Sequence, residues 1–424
     1  MPMLYYDVVI IGGGPAGMAA ALGAYEKGIR NILIIEREAF LGGILNQCIH
    51  SGFGLKIFEE ELTGPEYAYR YLSKVKQYNI EYMVNTIVVD LHSDKVIIAI
   101  NATEGVVKIQ GKSIVLAMGC RERPRGAIHI PGFRPAGIFL AGTVQKLVNI
   151  QGILPGKEVI ILGSGDIGLI MARRLTLEGA KVKAVVELMP YPGGLKRNIV
   201  QCLYDYQIPL KLSHTIVHIY GKERVTGVTI AKVDELMNVI EGSERYIPCD
   251  TILLSIGLIP ENELSRGAGI IIDERTLGPM VNDSYETSIK GIFACGNVLH
   301  VNDLADHVSL EGNRAGEMAA EYCIISSQAT VKTEISVVAG EGIRYIIPQK
   351  INLFTKERFI EFKFRVMKCF PYSSVRLMSG DIILKEIRKK IFVPGEIEQI
   401  IICKEELEKI KNLNDLKIML CKET

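Results

Sequence analysis

No two cysteines in this chain are spaced as CxxC or CxxxxC, although it holds nine, at positions 48, 120, 202, 249, 295, 323, 369, 403 and 421. An odd, scattered set of this kind is the usage of a reducing compartment and offers no disulfide framework. It also lacks the clustered ligands of a structural zinc site or a cysteine-ligated iron–sulfur cluster, so no metal is expected. Charge of one sign is missing too. Lys plus Arg (49) nearly cancels Asp plus Glu (48), with no long block of like charge, and that removes the field a nucleic-acid partner requires. No basic segment precedes an apolar one at the N-terminus, and the apolar stretch from Val8 to Tyr25 is broken by glycines and Pro15, which mark a strand, a turn and a helix instead of a membrane span. The expectation from these absences is a cytoplasmic protein without a transmembrane segment.

What the chain does have is one phosphate-cradling signature written twice. Gly12, Gly14 and Gly17 stand in VVIIGGGPAGMAAA, and Gly163, Gly165 and Gly168 stand in VIILGSGDIGLIMA. Each copy follows a short apolar run that reads as a buried parallel strand, and each opens a stretch that reads as a helix. The first two glycines allow a tight turn and close approach to a pyrophosphate, and the third lets helix pack on strand. The helix N-terminus then offers free N–H groups to the anion, with Pro15, Ala16, Asp166 and Ile167 in the first turns. An acid closes each unit: Glu36 ends NILIIE and Glu187 ends VKAVVE, each 24 residues beyond its first glycine, where a carboxylate accepts from a ribose diol. Two nucleotides follow. The expected pair is a permanently held FAD and a nicotinamide that exchanges, and Glu187 would repel a ribose 2′-phosphate, favouring NAD(H) over NADP(H).

At 424 residues and 48% hydrophobic content the chain accommodates two or three domains with proper cores. A fresh domain starts near Leu154 and runs to about Pro248, and CDTILLSIGLIPEN then repeats the strand-to-glycine pattern of SIVLAMGC, so the two segments mark crossings between domains. The last hundred residues alternate apolar and polar (FIEFKFRV, IILKEIRKKIFV, IEQIIIC), which predicts a small β-rich domain ending in a charged helix, EELEKIKNL.

The order of GGGPAG, AMGCRERPR and FACGNV resembles that of the two-dinucleotide-binding-domain flavoproteins, the superfamily of glutathione reductase and thioredoxin reductase, over roughly residues 5 to 325. The resemblance implies an α/β fold with two Rossmann-like three-layer dinucleotide-binding domains, the second inserted in the first, plus the small β-rich domain. Residues 1–150 and 249–330 would bind FAD, 151–248 would bind NAD(H), and 331–424 would serve partner docking or dimerisation. It places Gly12, Gly14, Gly17, Glu36, Arg37 and Gly119 around the ADP half of FAD, with Gly296 and Asn297 by the ribityl and pyrophosphate portion. Asn297 stands where the family has Asp, so an ionic hydrogen bond to the ribityl hydroxyls becomes a neutral one. His307 opens a helix that would face the flavin pyrimidine, where a helix N-terminus stabilises negative charge.

The family's dithiol is absent: after Gly42 and Gly43, Leu45 and His50 occupy the positions of its two cysteines. Electrons would therefore pass directly to a substrate, another protein or oxygen. Cys48 reads either as a redox-active thiol or as a packed small apolar residue, and His50 either as a proton donor or as a residue that satisfies loop backbone. GGILNQCIHSGFG, ELTGPEYA, GCRERPRG and GEGIRYIIPQ resemble, more narrowly, the FAD subunit that accompanies anaerobic glycerol 3-phosphate dehydrogenase, with relatives in opine oxidases, hydrogen cyanide synthase and archaeal dye-linked proline dehydrogenase. This implies an FAD-dependent, NAD-linked oxidoreductase working as one subunit of a multi-subunit dehydrogenase of glycerol 3-phosphate or amino-acid type, in a homo- or hetero-oligomer. The alternatives are a self-contained NADH oxidase, an NADH-dependent reductase of an electron-carrier protein, or a non-catalytic nucleotide-binding scaffold.

Overall fold

The computed structural model describes residues 3–325, 334–352, 359–408 and 415–422. They form two compact units, one of Met1–Asn46, Ser51–Cys120 and Pro260–Thr424, the other of Gln47–His50 and Arg121–Ile259.

In the first unit the run ending in VVII is the strand Met3–Ile11. Val8 and Ile10 enter one buried cluster and Val9 and Ile11 another, so both faces of the strand are covered and the apolar run is continuous, as a central parallel strand requires. The strand lies between Ile32–Ile35 and Gly105–Leu116, parallel to both. The full seven-stranded sheet runs Glu81–Met83, Ile32–Ile35, Met3–Ile11, Gly105–Leu116, Val96–Asn101, Thr86–Leu91, with Ile292–Ala294 also paired to Gly105–Leu116. On one face the helices Pro15–Glu26 and Ala305–Ile324 cross at glycines. A Cβ on Gly312 would lie 2.2 Å from the Ala16 carbonyl oxygen, and one on Gly316 1.9 Å from that of Ala20.

The second unit repeats the plan. A five-stranded parallel sheet runs Ile138–Leu140, Thr251–Leu254, Glu158–Leu162, Lys181–Val186, Leu210–Lys211. Val159 and Ile161 face one cluster while Ile160 and Leu162 face another. An antiparallel sheet of His214–Tyr220, Gly227–Lys232 and Arg245–Pro248 accompanies it.

Two expectations change in the structure. The joins anticipated at 150 and 249 lie further out, because Ile138–Leu140 pairs with Thr251–Leu254, which pairs in turn with Glu158–Leu162. The helix Ala141–Asn149 likewise sends Ala141, Val144 and Val148 into the second unit's core. The expected boundary at 330 falls outside the described residues. Beyond it the chain is β-rich, as anticipated, in a five-stranded and a three-stranded sheet around Phe362, Phe364, Val375 and Phe392. That region belongs to the first unit: Tyr345 and Ile347 share a buried cluster with Val9, Leu116 and Val281, and the Gln349 amide donates to the Val281 carbonyl at 3.1 Å. The anticipated terminal helix shrinks, among the described residues, to Lys404–Glu408, and residues 409–413 of it lie outside them. A strand follows, Asp415–Lys422, pairing with Glu334–Ala339 and Phe370–Ser379, because Leu416, Ile418 and Leu420 alternate into the core. Among the described residues no helix is long and apolar enough to cross a membrane.

Candidate functional site

The three glycines of the first loop have three different physical reasons. Gly12 sits at φ +106°, and a Cβ there would lie 2.4 Å from the Ala117 carbonyl oxygen, so both backbone conformation and close approach demand glycine. A Cβ on Gly17 would meet the Gly12 carbonyl at 1.8 Å, where helix packs on strand. At Gly14 a Cβ would meet nothing within 4 Å. That open space lies at the start of Pro15–Glu26, whose first turn has free amides, Pro15 in place at its beginning and no acidic side chain. Glu36 is buried beside it, taking the Gly13 amide at 2.7 Å and the Glu38 amide at 2.9 Å, while Arg37 is exposed. Further expected residues converge here. The Gly42 amide donates to the Gly13 carbonyl at 2.8 Å, and a Cβ on Gly43 would lie 3.0 Å from the Gly14 Cα. One on Gly296 would lie 2.9 Å from the Ala16 Cβ and 3.1 Å from Val308 Cγ1. Gly119 closes the Gly105–Leu116 crossing and accepts from the Glu261 amide at 3.0 Å.

Asn297 and His307 lie on the C-terminal side of this cradle. Asn297 accepts the Asn302 amide at 2.9 Å and donates toward Cys120 Sγ at 3.6 Å. His307 is in the first turn of Ala305–Ile324, with its Nε2 2.6 Å from Lys56 Nζ. An ammonium can only donate, so Nε2 accepts and the ring proton sits on Nδ1. Burial, and then Lys56, hold the imidazole below its usual value and therefore neutral. His307 Nδ1 and the neighbouring Asp306 Oδ1 are buried and have no hydrogen-bond partner among the described residues. An open cradle at one helix start and orphaned polar atoms at another fit a long polar dinucleotide such as FAD.

The second unit carries the same loop with one added group. Gly163 sits at φ +94°, with a Cβ position 2.1 Å from the Ser255 carbonyl oxygen; the one on Gly168 meets Ser255 at 2.7 Å; that on Gly165 comes no nearer than 3.4 Å to anything. Glu187 is buried and accepts from the Ser164 amide (2.8 Å), the Ser164 hydroxyl (2.6 Å) and the Met189 amide (2.9 Å). Asp166, expected to face the nucleotide, instead accepts the Leu195 amide at 2.9 Å and Asn198 Nδ2 at 2.6 Å, fixing the segment after Glu187, while Ile167 is half-buried against the core. Ser164 and Ser255 escaped the sequence reading. Their signal was positional, since they stand where the first copy has Gly13 and Ala117.

Within the second unit, Gln47–His50 is tied to the helix Ala141–Asn149. Gln47 Nε2 donates to the Gly142 carbonyl and to Gln145 Oε1, both at 2.9 Å, and Asn149 Nδ2 donates to the Gln47 carbonyl at 2.8 Å. Cys48 reaches Gln145 Oε1 at 3.7 Å, and burial pushes its thiol up to about 12. That is the reverse of an activated thiolate and favours the packing role for Cys48. His50 is half-buried at the end of the same turn. The ELTGPEYA motif is a capping box: Thr63 and Glu66 satisfy each other's amides at the start of Gly64–Gln77.

Sequence reading also missed a buried charge cluster. Glu311 accepts the Gly296 amide (3.0 Å), His300 Nε2 (2.8 Å) and Lys363 Nζ (2.8 Å). Burial would raise its carboxyl, but Lys363 and His300 overcome that and hold it well below the usual carboxylate range. No group of His, Cys, Asp and Glu among the described residues has the arrangement of a metal site.

Comparisons with known proteins agree with this geometry. The chain is 23% identical to an opine oxidase subunit of Agrobacterium tumefaciens over 80% of its own length and 69% of that protein's, and 24% identical to hydrogen cyanide synthase subunit HcnB of Pseudomonas protegens over 79% and 73%. Thioredoxin reductase of Listeria monocytogenes is 28% identical over 75% of this chain and 93% of that one. Among solved structures, thioredoxin reductase of T. acidophilum superposes with a TM-score of 0.61 (22% identity, 76% and 99% covered), and L-proline dehydrogenase of P. horikoshii with 0.55 (18%, 77% and 57%). The model of the pyridine nucleotide-disulphide oxidoreductases matches residues 6–319, so the chain belongs to that family of FAD-dependent NAD(P)H oxidoreductases.

Proposed function

We propose that this chain passes a hydride between NAD(H) and FAD as one subunit of a multi-subunit dehydrogenase, with another subunit oxidising the organic substrate. The observation that carries this reading is the duplicated cradle, each copy with its own buried ribose acid, Glu36 and Glu187. FAD, when bound, supplies the redox chemistry; the protein supplies position and electrostatics. The helix start at Gly14 offers amides to the diphosphate, and Glu36 keeps lone pairs for the adenosine ribose beyond the two amides it already accepts. Asn297 offers the ribityl chain a neutral hydrogen bond. His307, its proton kept on Nδ1 by Lys56, offers a donor at a helix N-terminus, where developing negative charge is stabilised. In the second cradle Glu187 is fixed by three donors and would face a ribose 2′-phosphate with like charge, so NAD(H) is the preferred nicotinamide.

A role within a complex is supported by the names of two relatives, one a subunit of opine oxidase and the other hydrogen cyanide synthase subunit HcnB, and by the absence of a CxxC or CxxxxC relay. The motifs shared with the glycerol 3-phosphate dehydrogenase-associated subunit suggest a partner that oxidises glycerol 3-phosphate or an amino-acid-type substrate. Anaerobic titration of the purified chain tests the core of the proposal: NADH should bleach the flavin bands at lower concentration than NADPH, and equal bleaching by NADPH overturns the NAD preference. Co-purification should recover a second flavoprotein. The Listeria thioredoxin reductase relative favours a second reading, a stand-alone reductase of a carrier protein. Rapid turnover of the isolated chain with such a carrier, and no partner subunit, would establish it.

A further inference from the structure

The strand Phe359–Val366 carries two cations through its most buried stretch. Phe362, Phe364 and Val366 enter the C-terminal core, so Lys363 and Arg365 share the opposite face of the strand. Arg365 reaches the turn that joins Gly296 to the helix Ala305–Ile324, and Lys363 reaches Glu311 on that helix, which in turn accepts the Gly296 amide. We propose that the C-terminal β region is part of the flavin site, with Lys363 and Arg365 as positioning residues that hold residues 296–303 in the form that receives the dinucleotide. This rests on the placement of Gly296 and Asn297 beside FAD given above.

The two grips act at opposite ends of the turn. At its start, Lys363 Nζ holds Glu311 Oε1 at 2.8 Å, which leaves Oε2 to accept the Gly296 amide at 3.0 Å and Asn302 Nδ2 at 3.2 Å. At its end, Arg365 pairs with Asp303 and donates to the Val301 carbonyl at 3.1 Å, while the other Asp303 oxygen takes the Ile397 amide at 2.8 Å. The side chains of Lys363 and Glu311 are 5% and 0% exposed. A buried ion pair can often be replaced by apolar residues without loss of stability, so stability alone is a poor reason for this one. What apolar residues could not do is fix both oxygens of Glu311 and, through them, one backbone amide. The turn has little slack: Gly296 is at φ +70°, and a Cβ there would be 2.9 Å from Ala16 in the first turn of the phosphate-facing helix. A displacement of the turn therefore moves it against the cradle itself.

The test uses the full-length chain stripped of flavin, with FAD affinity measured by quenching of flavin fluorescence and apoprotein Tm measured alongside. Lys363→Met is expected to raise the FAD Kd at least tenfold, and Arg365→Met to act in the same direction. Should Lys363→Met not fold, Lys363→Met/Glu311→Gln removes both charges and is expected to fold with FAD still weakened at least tenfold. A lowered Tm with unchanged Kd in the folded variants overturns the proposal, because a merely structural pair would behave in that way. Asn297→Ala separates the two layers of the argument. If it weakens FAD while Lys363→Met does not, the placement stands and the buttress falls; if neither changes Kd, the placement itself is wrong.

Discussion

The two Gly-rich cradles share their backbone plan and differ in what stands behind it. Ser164 replaces Gly13 and adds a hydroxyl to the hold on Glu187. Ser255 replaces Ala117 behind the first glycine, and its hydroxyl accepts the Gly168 amide at 3.1 Å, a bond that an alanine side chain cannot make. The first cradle instead draws on distant chain: a second helix crosses its own at glycines, and the turn at Gly296 is pinned from the C-terminal sheet. One cradle is stiffened by serine hydroxyls, Ser164 in its own loop and Ser255 at the end of a neighbouring strand, and the other by the packing of a second helix and the C-terminal sheet. That contrast suits a nucleotide that comes and goes in the second and one that stays in the first.

The sharpest way to break the comparison is to place the same substitution in both loops. Gly12→Ala should abolish FAD retention, since it combines left-handed strain of about 1–3 kcal/mol with overpacking of a similar size. Gly163→Ala should leave a yellow, folded protein that NADH no longer bleaches; flavin loss in both variants would mean the cradles are not independent. Next in size, Glu187→Ala should raise the KM for NADH about tenfold, roughly 1.4 kcal/mol, and narrow the preference over NADPH, as steady-state assays with both cofactors will show.

Acid should distinguish the first unit through Glu311 and Lys363. Glu311 is held below its usual value, so its contribution is present above about pH 4.3 and is lost as pH falls from there. Lys363 is held above its usual value because Glu311 outweighs the burial that opposes its charge; its contribution is complete below about pH 10.4 and is lost only as pH rises beyond it. Resistance of the apoprotein to urea should therefore change little through Glu311 between about pH 7 and 5 and weaken as pH falls below about 4.3, and Glu311→Gln should flatten that acid limb. The smallest effect is expected from Thr63→Ala, which removes a capping box for about 1 kcal/mol of stability, seen in Tm, with FAD affinity unchanged.

Much of this was readable from one-dimensional pattern. The glycines, Glu36 and Glu187 announce themselves because backbone clearance and, on the reading proposed above, a ribose-binding acid call for those residue types at nearly constant spacing. The crossings at Gly119 and Gly257 showed as a repeated strand-to-glycine phrase. The second unit's outer strand did not, because IFL is only three residues long and its pairing with Thr251–Leu254 is visible only in the sheet. Lys363 and Arg365 were hidden for another reason: alternation in FIEFKFRV reads as a half-solvated strand, whereas the polar face is buried against charged partners from another part of the chain. The terminal strand Asp415–Lys422 is hidden behind EELEKIKNL, whose lysines and glutamates suit a helix that would close the domain, and its own period two covers only a few residues.

The glycine crossing of Pro15–Glu26 with Ala305–Ile324 also sets an order of events on the ribosome. The helices that meet there are roughly 300 residues apart, so at about 5–20 residues per second the first waits some 15–60 s for the second to emerge. Arg121–Ile259, continuous apart from Gln47–His50, is complete well before that. The N-terminal cradle, first to be translated, should therefore be among the last to close, and it is in that interval that its exposed apolar face is open to chaperones and to aggregation.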